Sequence, residues 1–122
     1  MKKTILMLSI TAFCFSCGGG SGKGGETKTA ANDPDIEKGL SLVAKSDCLG
    51  CHQITTTTIG PAYNAIGQKY ENTEANINML AEKIQKGGSG NWGTVQMAAH
   101  DTISKESAVL MAKYVLSLKD EK

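Results

Sequence analysis

Cys48-Leu49-Gly50-Cys51-His52 places two thiols three positions apart and an imidazole directly after the second. At this spacing both cysteines fall within one turn of chain. They can meet the two vinyl groups on one edge of a porphyrin while the next side chain projects toward its centre. The run is the attachment pattern of a c-type haem, with Cys48 and Cys51 forming thioethers and His52 ligating the iron. The competing readings lack partners. A structural zinc site needs four ligands at set spacings, and the only other thiols, Cys14 and Cys17, lie in a segment that reads as an export signal. An iron–sulfur cluster needs more cysteines, and a thioredoxin-like pair belongs with a βαβ pattern that this sequence lacks. A Cys48–Cys51 disulfide would close a very small loop and leave His52 unexplained.

The surrounding composition agrees with a chain built around a large cofactor. Its 122 residues, 40% hydrophobic and 20% charged, suit one small domain. One Trp, three Tyr and two Phe are the whole aromatic content, and Phe13 and Phe15 both fall in the export segment. The folded part is therefore short of large side chains to bury, and a porphyrin would supply that bulk. Thirteen Lys, no Arg and twelve acidic residues give a formal charge of +1. That balance argues against nucleic acid as a partner.

Upstream of the motif, Lys2 and Lys3 precede the apolar run 4–15, which is shorter than the roughly 20 helical residues that span a bilayer. It reads as a secretory signal. Ser16-Cys17-Gly18 then resembles the cleavage box of bacterial lipoproteins, whose cysteine is lipidated and becomes the new N-terminus. We therefore expect a lipoprotein-type signal peptide over residues 1–16 and lipidation of Cys17. Residues 17–32 read as a flexible Gly-rich tether with a reach of roughly 20–25 Å, and 33–122 as the folded domain. The expected location is the periplasmic or cell-envelope face of a membrane, held there by the lipid.

Within 33–122 the periodicity predicts four helices and no strands. Asn32-Asp33-Pro34 supplies a cap and a first-turn proline, and Ile36, Leu40 and Val43 follow at helical spacing up to about Lys45. A short helix is expected over 62–69. A longer one runs from near Thr73 to the stop Lys86-Gly87-Gly88, with Ile77, Leu80, Ala81 and Ile84 on its apolar face. Ser104 caps the last, which carries Leu110, Met111, Tyr114, Val115 and Leu118 to about Lys119. The intervening stretch 87–102 reads as a long functional loop, and Thr55 to Thr58 as solvent loop with no assigned role.

An iron held by His52 needs a ligand on its other face. The candidates are Met79, Met97, Met111 and His100. Met79 and Met111 sit on helical apolar faces, where methionine is a common gap filler. His100 would give two nitrogen ligands and a lower potential. Met97 ranks first, because it lies in a glycine-containing loop able to rest against a flat ring.

Helix one with Lys38-Gly39 to Val43, the C-x-x-C-H, Gly60-Pro61-Ala62-Tyr63, and 84–93 followed by Met97 together resemble a short bacterial monohaem class I cytochrome c. The resemblance spans about 33–119. It implies an all-α, small cytochrome c fold of about four helices around one covalently attached haem, with Met97 as the sixth ligand. It implies further that the Pro61 carbonyl accepts a hydrogen bond from His52, that Trp92 lies near a haem propionate, and that Gly39 and Tyr114 meet where the first and last helices cross. Two positions depart from the pattern: Gln96 precedes Met97 where a proline is common, and Val43 stands where a bulky aromatic is frequent.

With both axial positions closed, the expected function is electron transfer, without catalysis, at the positive end of the haem range. The rival is a haem enzyme or gas sensor with a displaceable sixth ligand and His100 as its polar distal group. The resemblance and the tether imply redox partner proteins, a quinol-oxidising complex upstream and a terminal oxidase or reductase downstream. A monomer is expected, steered by some of Lys45, Lys69, Lys83 and Lys86.

Overall fold

A computed structural model of the chain describes residues 33–122. The expected signal peptide, Cys17 and the tether lie outside the described residues. Four helices follow in chain order: α1 (Pro34–Lys45), α2 (Tyr63–Lys69), α3 (Glu74–Lys86) and α4 (Lys105–Ser117). Among the described residues no helix is long and apolar enough to cross a membrane.

The helix starts are local chemistry. Asp33 accepts the free N–H of Asp35 at 3.0 Å, Thr73 that of Asn76 at 3.3 Å and Ser104 that of Ser107 at 3.2 Å. Each satisfies a donor that the first turn leaves without a partner. α2 begins without a side-chain cap. Its first two N–H groups instead donate to the Gln53 and Ile54 carbonyls, both at 2.9 Å, so the loop before α2 does the capping. α4 ends at Ser117, two residues before the expected limit.

α4 is the central element, packed most extensively against α1, then α3, then α2. Val43, Tyr63, Ile66, Met111, Tyr114, Val115 and Leu118 form the core cluster. Two features depart from the periodicity reading of α1. Leu40 is 48% exposed, whereas Gly39 is buried. The cause is the crossing with α4: a Cβ on Gly39 would lie 2.2 Å from the Leu110 carbonyl oxygen and 2.8 Å from Tyr114 Cβ. Gly39 must therefore face α4, which turns Leu40, about 100° round the helix, away from it. Lys113 Nζ and Asp35 Oδ2, 2.6 Å apart, link the same two helices at the surface.

Because the Gly39 contact is with backbone, no rotamer change relieves it. Gly39→Ala is expected to cost about 3 kcal/mol, at the upper end of overpacking penalties. For a domain of this size that lowers Tm by roughly 12–24 °C. Thermal melts of the holoprotein followed by circular dichroism check this; an unchanged Tm would show that the crossing opens freely.

The stretch 87–102 is not the strandless loop expected. It contains an antiparallel hairpin of β1 (Gly88–Gly90) and β2 (Gly93–Met97), paired Gly88 with Met97 and Gly90 with Gly93. Gly87, Gly88, Gly90 and Gly93 all have positive φ, between 67° and 114°. These are conformations that other residues rarely adopt. The hairpin escapes the sequence pattern because its only alternating apolar pair is Val95 and Met97, too short a signal to separate from loop.

Candidate haem-binding site

Ser46 closes α1, its N–H and hydroxyl both donating to the Leu42 carbonyl at 3.1 and 2.9 Å. The chain then winds directly into a 3₁₀ turn, Asp47–Gly50. Cys51 and His52 donate their N–H groups to the Cys48 carbonyl at 3.2 and 3.0 Å. The pentapeptide is thus a single tight turn fastened to the end of α1.

The loop that follows folds back on this turn. Gly60 N–H and the Thr58 hydroxyl both donate to the Cys51 carbonyl at 2.8 Å. Thr58 therefore has a structural role that the run of four threonines does not reveal. The same fold-back sets His52. Its Nδ1 lies 2.7 Å from the Pro61 carbonyl oxygen. A carbonyl only accepts, so Nδ1 carries the proton and Nε2 keeps the lone pair that a metal ligand needs. A Cβ on Gly60 would come within 2.5 Å of His52 Cε1, so the glycine makes room for the ring, and Tyr63 stacks on it at 5.3 Å between centroids.

His52 lines one open cleft of about 270 Å³, together with Cys48, Cys51 and Met97. Much of its wall is aliphatic, with Val43, Ile66, Leu80, Ile84, Met111 and Val115. Burial, and after it the neighbouring Asp47 carboxylate, push the Cys48 thiol up from its ordinary pKa. A thioether at that position removes the ionisable group and with it the cost of a buried thiolate. Tyr63 is likewise pushed up, chiefly by burial, so its hydroxyl stays neutral beside Cys48.

The sequence candidates for the sixth position separate here. Met97, at the end of β2, and His100 line the cleft; so does Met111, which is also 1% exposed within the core cluster. Met79 lies elsewhere, half-buried on α3 in a separate hollow with Glu82 and Lys105. Trp92, in the hairpin turn, borders the cleft and is 42% exposed. Lys69 from α2 holds it, with Nζ 4.4 Å from the indole centroid and 2.8 Å from the Asn91 carbonyl. Of the four lysines considered, Lys69 thus sits against the cleft's border and Lys83 lines the cleft itself, while Lys86 pairs with Glu82. Among the described residues no group of three or more His, Cys, Asp or Glu forms a metal site.

Residues 36–119 match the family profile described as Cytochrome c. The chain belongs to the cytochrome c family. Among its relatives, cytochrome c-552 of Nitrosomonas europaea is 37% identical over 78 residues, 64% of this chain and 76% of the relative. Cytochrome c-551 of Pseudomonas aeruginosa is 34% identical over 89 residues, 73% of this chain and 80% of the relative. The crystal structure of wild-type N. europaea cytochrome c552 superposes with a TM-score of 0.60 at 35% identity, covering 65% of this chain and 98% of that one.

As a cytochrome c, this chain carries one covalently attached c-type haem, and Cys48 and Cys51 are the cysteines of its C-x-x-C-H motif. The site suits that group on three counts. Both thiols and the imidazole come from one turn that lines the cleft. The hydrogen bond from His52 Nδ1 to Pro61 leaves Nε2 as the nitrogen available to a metal. The wall is mostly apolar, matching the faces of a porphyrin, and no polar or charged side chain is fully buried among the described residues.

Proposed function

We propose that this cytochrome c is an electron carrier in which His52 Nε2 and the Met97 thioether close the two axial positions of the haem iron. The observation that carries the reading is that Cys48, Cys51, His52 and Met97 line a single cleft. The haem supplies one-electron chemistry there, its iron alternating between the ferric and ferrous states.

The chain's own residues do the rest. Pro61 holds the His52 ring in one tautomer through a hydrogen bond of 2.7 Å, which keeps the imidazole oriented through the redox cycle. Met97 offers a soft sulfur that favours the ferrous state and leaves no open position for a substrate. Val43, Ile66, Ile84 and Val115 give the cleft an apolar wall, so the state of lower charge is favoured. At the mouth, Ile59, Val95 and Trp92 are exposed apolar side chains, with Lys69 and Lys83 close by. In this reading Trp92 borders a haem propionate. Such a rim suits small, short-lived encounters with redox partner proteins. We assign as partners a quinol-oxidising complex and a terminal oxidase or reductase, met by a monomer exported to the cell envelope. Its N-terminal residues 1–16 serve as signal peptide, and the lipid on Cys17 tethers it to the membrane.

The rival reading, a haem enzyme or gas sensor, draws on His100, a polar side chain in the cleft wall. Redox-titrated visible spectra and carbon monoxide binding separate the two. A carrier shows a sulfur-to-iron absorption band at the red end of the visible spectrum in its ferric form, a positive potential, and no rapid binding of carbon monoxide when reduced at neutral pH. Rapid binding would establish the rival.

A further inference from the structure

His100 has two anchors and one free nitrogen. Its backbone N–H donates to the Ile84 carbonyl in the last turn of α3, at 3.2 Å. Its Nε2 lies 3.0 Å from Asp47 Oδ1, across 53 positions of sequence. The carboxylate accepts, so Nε2 donates. Nδ1 is buried without a hydrogen-bond partner, and the residue lines the cleft. Asp47 opens the 3₁₀ turn and directly precedes Cys48. The side chain of His100 therefore ties the segment leaving Met97 to the turn that bears the two cysteines.

That segment has little else to define it. Gln96-Met97-Ala98-Ala99 contains no proline and only small or unbranched side chains, so its dihedral angles are loosely restricted by covalent structure. On its upstream side Met97 pairs with Gly88, and its carbonyl comes so close to Gly87 that a Cβ there would lie 2.3 Å away. On its downstream side the first side-chain link to the cysteine-bearing turn comes three residues on, at His100. His100 is 21% exposed in its side chain, whereas Asp47 is 86% exposed. A substitution at Asp47 therefore breaks the tie without disturbing packing.

We propose that His100 is a positioning residue for Met97. The His100–Asp47 clasp fastens the downstream end of the Met97 segment to the haem-attachment turn and raises the fraction of time the thioether spends on iron. The inference rests on Met97 being the sixth ligand.

A double-mutant cycle on the ferric holoprotein tests it, with imidazole as the competing ligand and the sulfur-to-iron band as a second readout. His100→Ala and Asp47→Ala are each expected to tighten imidazole binding roughly fivefold, a modest change because one partner of the pair is exposed. Both should weaken the band, and the double variant should go no further than either single one, because the two act through one contact. Asp47→Asn keeps an accepting Oδ1 and should behave like the wild type. Unchanged imidazole affinity in both single variants, or effects that add in the double variant, would overturn the clasp. A merely structural role for His100 would lower Tm without this pattern and without rescue by Asp47→Asn. If the wild-type protein lacks the band that Met97→Ala should remove, the ligation reading fails and takes the clasp with it. If the band is present and only the clasp variants leave it unmoved, the clasp alone fails.

Discussion

Replacing both Cys48 and Cys51 with alanine is expected to leave a chain without native helicity. The largest side chains less than 2% exposed are Met111 and Leu116, and four of the other buried residues are Ala62, Ala81, Ala108 and Ala112. With four of its twelve buried hydrophobic residues alanine, the core contributes limited apolar area on its own. Val43, Ile66, Leu80, Ile84, Met111 and Val115 all turn toward the cleft as well as toward each other. Fully covering an aliphatic side chain of this size is worth about 1.5–3 kcal/mol. Several of them together therefore match the whole stability of a small domain, about 5–15 kcal/mol. Losing the covalent hold on the haem removes the cover from all of them at once. Far-UV circular dichroism at 25 °C of the double variant checks this. Helicity equal to that of the holoprotein would show that the four helices stand without the cofactor.

Met97→Ala is expected to do the opposite: change the iron and spare the fold. Met97 ends an exposed hairpin and is not a member of the core cluster, so the helical signal should persist. The sulfur-to-iron band should vanish, and carbon monoxide should bind the reduced protein rapidly. The reduction potential should fall by on the order of 100 mV or more. At about 59 mV per tenfold for one electron, that is a change of about fiftyfold or more in the balance of ferric over ferrous iron. Redox titration with spectra recorded at each point measures both quantities. A variant with unaltered band and potential would move the sixth ligand to the other methionine of the cleft, Met111.

These two variants differ because the cysteines and the methionine are held in different ways. The C-x-x-C-H turn follows α1 after a two-residue gap and is closed by bonds within five residues, so both its chemistry and its local shape are legible in the sequence. The helix starts are legible for the same reason: Asp33, Thr73 and Ser104 each cap a donor two or three positions ahead. Met97 is identified by residue type and by a glycine-rich setting, but its place at the cleft comes from a hairpin that the alternation of apolar residues does not announce. Leu40 shows the same limit from another direction. Its spacing fits an apolar face, yet it is exposed, because the rotation of α1 is set by Gly39 meeting the Leu110 carbonyl some seventy positions away. Thr58 could be given no role until its partner, the Cys51 carbonyl, was brought within 2.8 Å by the fold of the loop.

By itself, then, the order of residues determined the attachment of a haem and the four helices. Those depend on covalent spacing and on hydrogen bonds between near neighbours. Only the tertiary structure decided which rim lysines stand at the cleft, where Trp92 is clamped by Lys69, and that His100 reaches Asp47. Each of those contacts joins parts of the chain that no local periodicity relates, and it forms only when the packing of α1, α2 and α3 on α4 carries the partners to within a few ångströms.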